Sequence, residues 1–89
     1  MDQKVKEILI ILQEESAEVI QQISKIQRFG LSSINQHGVT NQQELEKEIG
    51  DLLAMIDLLK ESGIVSQSSL DSCKMQKIEK LHKWSNIFV

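Results

Sequence analysis

Apolar residues recur at spacings of three and four from about residue 3 to about residue 28, with no glycine or proline among them. That period is typical of an α-helix, in which residues three or four apart share one face. The same period returns from about residue 41 to residue 62 and, in a narrower stripe, from about 72 to 84. The sequence therefore predicts an all-α fold, a helical bundle of two long antiparallel helices and a shorter third.

Residues that commonly begin and end helices flank the two long segments. Gly30 and Gly63 are placed to end them, because glycine adopts the left-handed backbone at little cost. Thr40 can cap the second helix, with Asn41 as the alternative cap, and the stretch from Thr40 to Gln43 fits a capping box.

Two connections separate the predicted helices. The polar stretch over residues 30–40 is longer than most helix connections in bundles, and long loops often carry binding residues. The serine-rich stretch over residues 66–69 is expected to form a turn, with Ser69 or Asp71 as the cap of the third helix.

Size and composition exclude several classes of protein. A chain of 89 residues is expected to form one domain, residues 1–89, and a net charge of −3 gives no basic footprint for nucleic acid. Charged residues interrupt any signal-peptide pattern, and no apolar run is long enough to span a membrane. The single cysteine excludes an internal disulfide. We therefore expect a soluble, cytoplasmic protein that binds neither nucleic acid nor membrane.

Three helices of this size make a thin core. Ile10 and Leu53 lie outside the main apolar stripes, and small helical units with surplus apolar faces commonly pair. We expect a homo-oligomer, a dimer or tetramer, whose core is completed by helix hairpins from two chains. The alternative is a monomer in which the third helix covers that face.

Two pairs of acids stand on the two long helices. Glu15 and Glu18 form the first pair and Glu48 and Asp51 the second, each with a spacing of three. That spacing places both carboxylates of a pair on one side of a helix. If the helices pack together, the four carboxylates converge on a site for a hard divalent cation, Mg²⁺ first and Mn²⁺ as the alternative.

The position of these acids on their helices separates them from an ordinary charged surface. Glu48 falls inside the apolar arc of the second helix and Asp51 on its edge, while Glu15 and Glu18 flank the arc of the first helix. Inward-facing acids are costly unless they are paired or bind a cation. The competing interpretation is that such acids are ordinary, solvated residues of a helix surface. We adopt this interpretation for the outward-facing acids, Glu7, Glu14, Glu46 and Glu61.

Gly50 lies between the acids of the second pair, inside the predicted second helix. A glycine in a helix interior lowers stability by about 1 kcal/mol relative to alanine. One explanation is the close approach of another backbone or of a ligand at this point. The other is a tolerated surface glycine, and the sequence does not separate the two.

A carboxylate-bound Mg²⁺ can orient a polyphosphate and activate water, which fits hydrolysis of a phosphoanhydride. The chain has no Gly-rich phosphate loop, so basic side chains on helices must contact the phosphates. We assign this role to Lys25 and Arg28, and to Lys80 on the third helix. Asn41 and Asn35 are candidates for contacts that select the base.

Other chemistries fit the residues less well. His37 and His82 have no partner at a spacing typical of zinc sites, and Cys73 has no evident activating base. A di-iron bundle would need Glu-x-x-His pairs, which are absent.

The two acid pairs and their context resemble a known family. The stretches Leu12–Val19, Lys25–Gly30 and Glu44–Leu53 are similar to those of the MazG-like all-α nucleoside triphosphate pyrophosphohydrolases, whose mark is Glu-x-x-Glu followed by Glu-x-x-Asp on two helices. The likeness covers about residues 5–60 and is weaker over Lys77–Trp84. It implies Mg²⁺-dependent cleavage between the α and β phosphates of a nucleoside triphosphate, giving the monophosphate and pyrophosphate.

The resemblance also implies roles for the acids and leaves alternatives open. Glu15, Glu18, Glu48 and Asp51 would hold the metal, and one of them would orient the attacking water. A dUTP- or dCTP-type diphosphatase of the same superfamily is one alternative. A non-catalytic helical interaction module that kept the fold without the activity is the other.

Overall fold

In a computed structural model that describes all of residues 1–89, the chain forms three α-helices and no strand. Helix α1 spans Gln3–Phe29, α2 spans Asn41–Glu61 and α3 spans Gln67–Trp84. The predicted all-α fold, with two long helices and a shorter third, is confirmed. None of the three helices combines the length and the apolar content needed to cross a bilayer.

The chain divides into two compact units. The first, Met1–Leu59, contains α1, the connecting loop and nearly all of α2, and the second, Lys60–Val89, contains α3. All four predicted metal-binding acids belong to the first unit. The single domain predicted for residues 1–89 stays a prediction.

Helix α1 begins and ends at residues suited to these positions. The carboxylate of Asp2 accepts a hydrogen bond of 2.7 Å from the backbone N–H of Val5, which caps the first turn. Gly30 follows the last helical residue with a φ of 89°, and its N–H donates to the carbonyl of Ile26 at 2.7 Å. The predicted role of Gly30 is therefore confirmed.

Helix α2 begins with the predicted capping box. The hydroxyl of Thr40 accepts from the N–H of Gln43 at 3.1 Å, and the side-chain oxygen of Gln43 accepts from the N–H of Thr40 at 2.9 Å. Two backbone donors that the helix leaves unpaired are thereby satisfied. Beyond the other end, Gly63 has a φ of 77° and its N–H donates to the carbonyl of Lys60 at 3.0 Å, as predicted.

Helix α3 begins five residues before the predicted start at residue 72, so that prediction was wrong. Ser66 caps the helix by accepting from the N–H of Ser69 at 3.2 Å. The side-chain amide of the next residue, Gln67, donates at 2.8 Å to Asp71, which lies one turn further along the helix. These bonds stabilise a helical first turn where the serines suggested a loop, and they place Ser69 and Asp71 inside the helix.

Helices α1 and α2 pack together in antiparallel orientation. Gln22 contacts Asn41 near the loop, and Glu18 contacts Glu48 further from the loop. Residue numbers therefore decrease along α1 in the direction in which they increase along α2. The buried apolar side chains are Val5, Ile8 and Leu59, each 5% exposed. The hydrophobic core is accordingly small, as expected for a chain of this length.

Several apolar residues of the two long helices face solvent. Ile10 and Leu53, placed by the sequence outside the main stripes, are exposed. Ile23 and Ile49, which belong to the apolar stripes of α1 and α2, are exposed as well, so these stripes are not buried over their full width. The packed seam is narrower than the apolar stripes, and the predicted homo-oligomer stays a prediction.

No other part of the chain approaches Gly50. A Cβ built on this residue would meet no atom within 4 Å. An approach by another backbone of the same chain is therefore the wrong explanation for this glycine.

Candidate active site

The antiparallel packing brings the two acid pairs together. Glu15 and Glu18 project from α1 and Glu48 and Asp51 from α2, and one oxygen of each lies within 4.8 Å of those of the other three. We call these four side chains the acid cluster. The convergence expected from the spacing is thus present in the structure, and the role of each acid stays a prediction.

Burial makes the acid cluster costly without a counter-charge. Glu48 is only 7% exposed, Glu15 and Asp51 are half-buried, and Glu18 is exposed. The Oε2 atoms of Glu15 and Glu48 are buried and accept no hydrogen bond. A buried carboxylate oxygen without a donor loses its hydration and gains nothing in return. A cation or a proton would relieve this cost.

The pKa of Glu48 reflects the same lack of a positive charge in the cluster. Burial raises the pKa of Glu48, and a hydrogen bond to Glu18 and the negative charge of Glu18 raise that pKa further. The chain alone thus makes this carboxyl group easier to protonate than an exposed glutamate. A bound cation reverses that preference, because it stabilises the ionised form.

One basic side chain of α2 lies beside the cluster. The Lys47 ammonium donates to Oδ2 of Asp51 at 3.1 Å and lies 3.7 Å from Oε1 of Glu48. The hydrogen bond to Asp51 and the neighbouring carboxylates raise the pKa of Lys47. This exposed lysine approaches two of the four acids, so most of the negative charge of the cluster is left uncompensated.

The donor set suits a hard divalent cation. All four candidate ligands offer carboxylate oxygens, and neither a histidine nor a cysteine belongs to the group. Mg²⁺ and Mn²⁺ prefer oxygen donors, whereas zinc sites usually include nitrogen or sulfur. The two buried oxygens without donors are the positions where a cation would restore the lost interactions.

A cavity of about 410 Å³ lies at the loop end of the same two helices. Its lining includes Lys25 and Phe29 of α1, Asn35 and His37 of the loop, and Glu44 of α2. Lys25 follows Glu18 by two helical turns, and Glu44 precedes Glu48 by one. Along both helices, the cavity therefore lies next to the acid cluster.

Several hydrogen bonds connect residues within the loop. The side-chain oxygen of Asn35 accepts from the N–H of His37 at 2.8 Å and from that of Val39 at 3.3 Å. The backbone N–H of Asn35 donates to the carbonyl of Val39 at 2.8 Å, and Ile34 pairs with Thr40 in an antiparallel bridge. The cavity thus has an ordered wall although no regular element forms it.

A buried polar contact joins this loop to both helices. Gln22 and Asn41 are each 3% exposed, and the side-chain amide of Gln22 donates to the backbone oxygen of Asn41 at 3.0 Å. The side-chain N–H of Asn41 donates to the carbonyl of Gly30, also at 3.0 Å. Gln22 was not among the predicted site residues, and no local pattern would have identified it.

The four predicted substrate contacts have different positions. Lys25 and Asn41 line the cavity, although the side chain of Asn41 is already engaged by Gly30 and Gln22. Arg28 is exposed near the loop, with its guanidinium 5.0 Å from the ring centre of Phe29. Lys80 is an exposed residue of α3, in the second unit. All four roles stay predictions.

The family profile of the MazG nucleotide pyrophosphohydrolase domain matches residues 3–85, nearly the whole chain. The chain belongs to the MazG family. This confirms the resemblance derived from the acid pairs, and it supports a hydrolase that acts on nucleotides with the help of a divalent metal. Comparison with curated proteins and with solved structures found no match. The acid cluster and the cavity both lie within the matched MazG stretch.

Proposed function

We propose that this MazG-family chain is a Mg²⁺-dependent nucleoside triphosphate pyrophosphohydrolase. It would cleave between the α and β phosphates and release a nucleoside monophosphate and pyrophosphate. The acid cluster carries the proposal, because its oxygens lie within 4.8 Å of one another and two of them are buried without a hydrogen-bond donor. Family membership supports a nucleotide as the substrate.

The four acids would have different roles in metal binding and catalysis, according to how exposed each one is. Glu15, Glu48 and Asp51, the more buried members, would hold the cation together with Glu18. Glu18 is the exposed member, which favours it as the carboxylate that also orients the attacking water. Mg²⁺, or Mn²⁺ in its place, supplies neutralisation of the phosphate oxygens and acidification of water. The oxygen of the attacking water would bond to the α phosphorus while the water gives a proton to Glu18. The bond from that phosphorus to the bridging oxygen would break, and pyrophosphate would leave.

Basic residues near the loop would hold the phosphates. Lys25 lines the cavity two turns beyond Glu18, and Arg28 lies one turn further. Both can donate to phosphate oxygens, Lys25 as a point charge and Arg28 as a fork. Asn41, which lines the cavity, is a candidate for contact with the nucleoside.

Pyrophosphate release tests the proposal directly. Wild-type protein is incubated with Mg²⁺ and a panel of canonical and modified deoxynucleoside triphosphates, and phosphorus NMR identifies the products. We expect pyrophosphate and monophosphate in equal amounts from at least one substrate. Glu48→Gln should lower kcat at least about a hundredfold, since it removes a ligand that acts in the transition state.

The matched control is Glu46→Gln, which removes an exposed carboxylate two residues away on the same helix. This variant should retain wild-type activity. Absence of pyrophosphate from every substrate, with helix content confirmed by circular dichroism, would contradict the proposal. Release of orthophosphate instead would contradict the cleavage site alone.

The exposed apolar residues favour a second candidate function, a non-catalytic helical interaction module. Ile10 and Leu53 are exposed on the two long helices. Such a module predicts a melting temperature independent of divalent cations, whereas the hydrolase predicts a rise with Mg²⁺ or Mn²⁺. The same surface supports our proposal that the enzyme is a homo-oligomer, which light scattering would measure. Its cytoplasmic location stays a prediction.

A further inference from the structure

The cavity at the loop end offers more than a phosphate contact, because two of its polar side chains have defined and opposite hydrogen-bonding roles. Asn35 stands on the loop side and Glu44 on the α2 side. Neither was placed in the metal site, and together they present a donor and a pair of acceptors to one open space.

Asn35 offers a donor whose identity is determined by its own hydrogen bonds. Its side-chain oxygen accepts from two backbone N–H groups, those of His37 and Val39. Backbone N–H groups only donate, so the atom that they contact must be the oxygen. The other atom of the amide, Nδ2, makes no hydrogen bond within the chain and is a donor for a ligand.

Glu44 offers two acceptors. The residue is half-buried, and its carboxylate makes neither a hydrogen bond nor an ion pair within the chain. An ionised carboxylate accepts two parallel N–H bonds when a ligand presents two adjacent donors.

Two large apolar side chains complete the lining. Phe29 is 59% exposed and Ile34 is 69% exposed, and both line the cavity. Exposed aromatic and aliphatic faces around an open cavity suit a flat heteroaromatic ring, because ring stacking is favourable for any base.

We propose that this cavity binds the guanine base of the substrate, an inference that rests on the proposed nucleotide hydrolase. The pairing edge of guanine presents an acceptor, O6, followed by two adjacent donors, N1–H and N2–H. Nδ2 of Asn35 donates to O6, and the carboxylate of Glu44 accepts from N1–H and N2–H. Adenine, cytosine and thymine each present a single donor on that edge, so each leaves Glu44 incompletely paired.

The position of the cavity along the helices suits a nucleotide that reaches the acid cluster. With a rise of about 1.5 Å per residue, Glu44 lies about 6 Å along α2 from Glu48. Lys25 lies about 10 Å along α1 from Glu18. Lys25 also lines the cavity, and it lies further from the acid cluster along α1 than Glu44 does along α2. The base held by Glu44 would therefore lie between Lys25 and the cluster.

The proposed contact between Glu44 and the N2 amino group of guanine can be tested by removing each partner, first separately and then together. Hypoxanthine lacks only the N2 amino group of guanine, so dGTP and dITP form a matched pair. We expect kcat/KM for dGTP to exceed that for dITP about tenfold in the wild-type enzyme. Glu44→Gln should reduce this ratio to about two or less, because an amide offers one acceptor and places a donor opposite a donor. Glu46→Gln, the exposed control, should leave the ratio unchanged.

Asn35→Asp tests the other half of the recognition. Aspartate keeps the oxygen that accepts from His37 and Val39 and replaces the donor by an acceptor. Since dGTP and dITP both carry O6, this variant should lower kcat/KM for both and leave their ratio intact. A uniform loss over all bases in Glu44→Gln, with no change in the ratio, would overturn the assignment.

A binding measurement separates this inference from the proposed function. In ¹⁵N-labelled wild-type protein, dGMP should shift the Asn35 side-chain amide and the Phe29 backbone signals more than dAMP does. If no triphosphate is hydrolysed but these shifts occur, the hydrolase fails and the guanine site stands. If pyrophosphate is released and dGMP and dAMP give equal shifts or none at these residues, the guanine site fails alone.

Discussion

The side-chain amide of Gln22 on α1 donates a hydrogen bond of 3.0 Å to the backbone oxygen of Asn41, the first residue of α2. The two residues are nineteen positions apart and both are buried. Through the bond from Asn41 to Gly30, this contact also ties the end of α1 to the start of α2. One buried polar side chain therefore helps to hold the two ends of the loop against the helical pair.

Gln22→Ala is expected to lower the free energy of unfolding by about 1–3 kcal/mol, because it leaves the buried oxygen of Asn41 without this donor. Urea unfolding followed by circular dichroism measures the change. Gln21→Ala, at the exposed neighbouring position, is the control and should change stability by less than about 0.5 kcal/mol. Equal effects from the two variants would show that the contact does not contribute to stability.

The buried Glu48 should give the free energy of unfolding an unusual pH dependence in protein free of divalent cations. Its pKa in the folded chain is raised above its ordinary value of 4.5. Between these two values the native state binds more protons than the unfolded state, so the free energy of unfolding falls as pH rises. The contribution is complete below pH 4.5 and is lost as pH rises through the folded pKa.

Comparison with Glu48→Gln isolates this contribution. Without divalent cations, the variant should become more stable than the wild type as pH rises, by on the order of 1 kcal/mol at neutral pH, since it removes an unpaired buried charge. With Mg²⁺ the order should reverse, because only the wild type gains stability from the cation. Thermal unfolding at several pH values measures both. A wild type that is more stable than the variant at neutral pH without Mg²⁺ would contradict the assigned burial.

Much of the site could be predicted from local pattern. The spacing within the acid pairs and the position of Glu48 inside an apolar arc were sufficient to predict a converging cluster, since helix geometry is regular. Gly30 and the Thr40–Gln43 capping box located the helix ends for the same reason. These features depend on residues close together in the chain.

Features that depend on distant contacts were not predictable in this way. Gln22 is one of several polar residues on α1, and only the three-dimensional structure shows that it meets Asn41. Ile23 and Ile49 belong to apolar stripes, yet the packed seam is too narrow to bury them. At the start of α3, the bond that Ser66 accepts from Ser69 and the bond that Gln67 donates to Asp71 stabilise a helix where the serines suggested a turn.

Lys47 is expected to weaken cation binding through its contacts with Asp51 and Glu48. Lys47→Met keeps the aliphatic stem and removes the positive charge, so the affinity of the acid cluster for Mn²⁺ should rise about threefold at low salt. Because the lysine is exposed, the gain should shrink as salt screens the charge. Isothermal titration at two salt concentrations measures this, with Lys4→Met as the control at the start of α1. A weaker affinity in Lys47→Met would mean that this lysine supports the site.

Gly50 lies between Glu48 and Asp51, and a Cβ built on it would meet no atom of another part of the chain within 4 Å. Gly50→Ala should raise the free energy of unfolding by about 0.5–1 kcal/mol, since alanine loses less backbone entropy in a helix. Ala54→Gly, one turn along the same exposed face, should lower it by a similar amount. Pyrophosphate release should be unchanged in Gly50→Ala. Loss of activity or of assembly in a stabilised Gly50→Ala protein would instead show that a substrate or a second copy occupies this space.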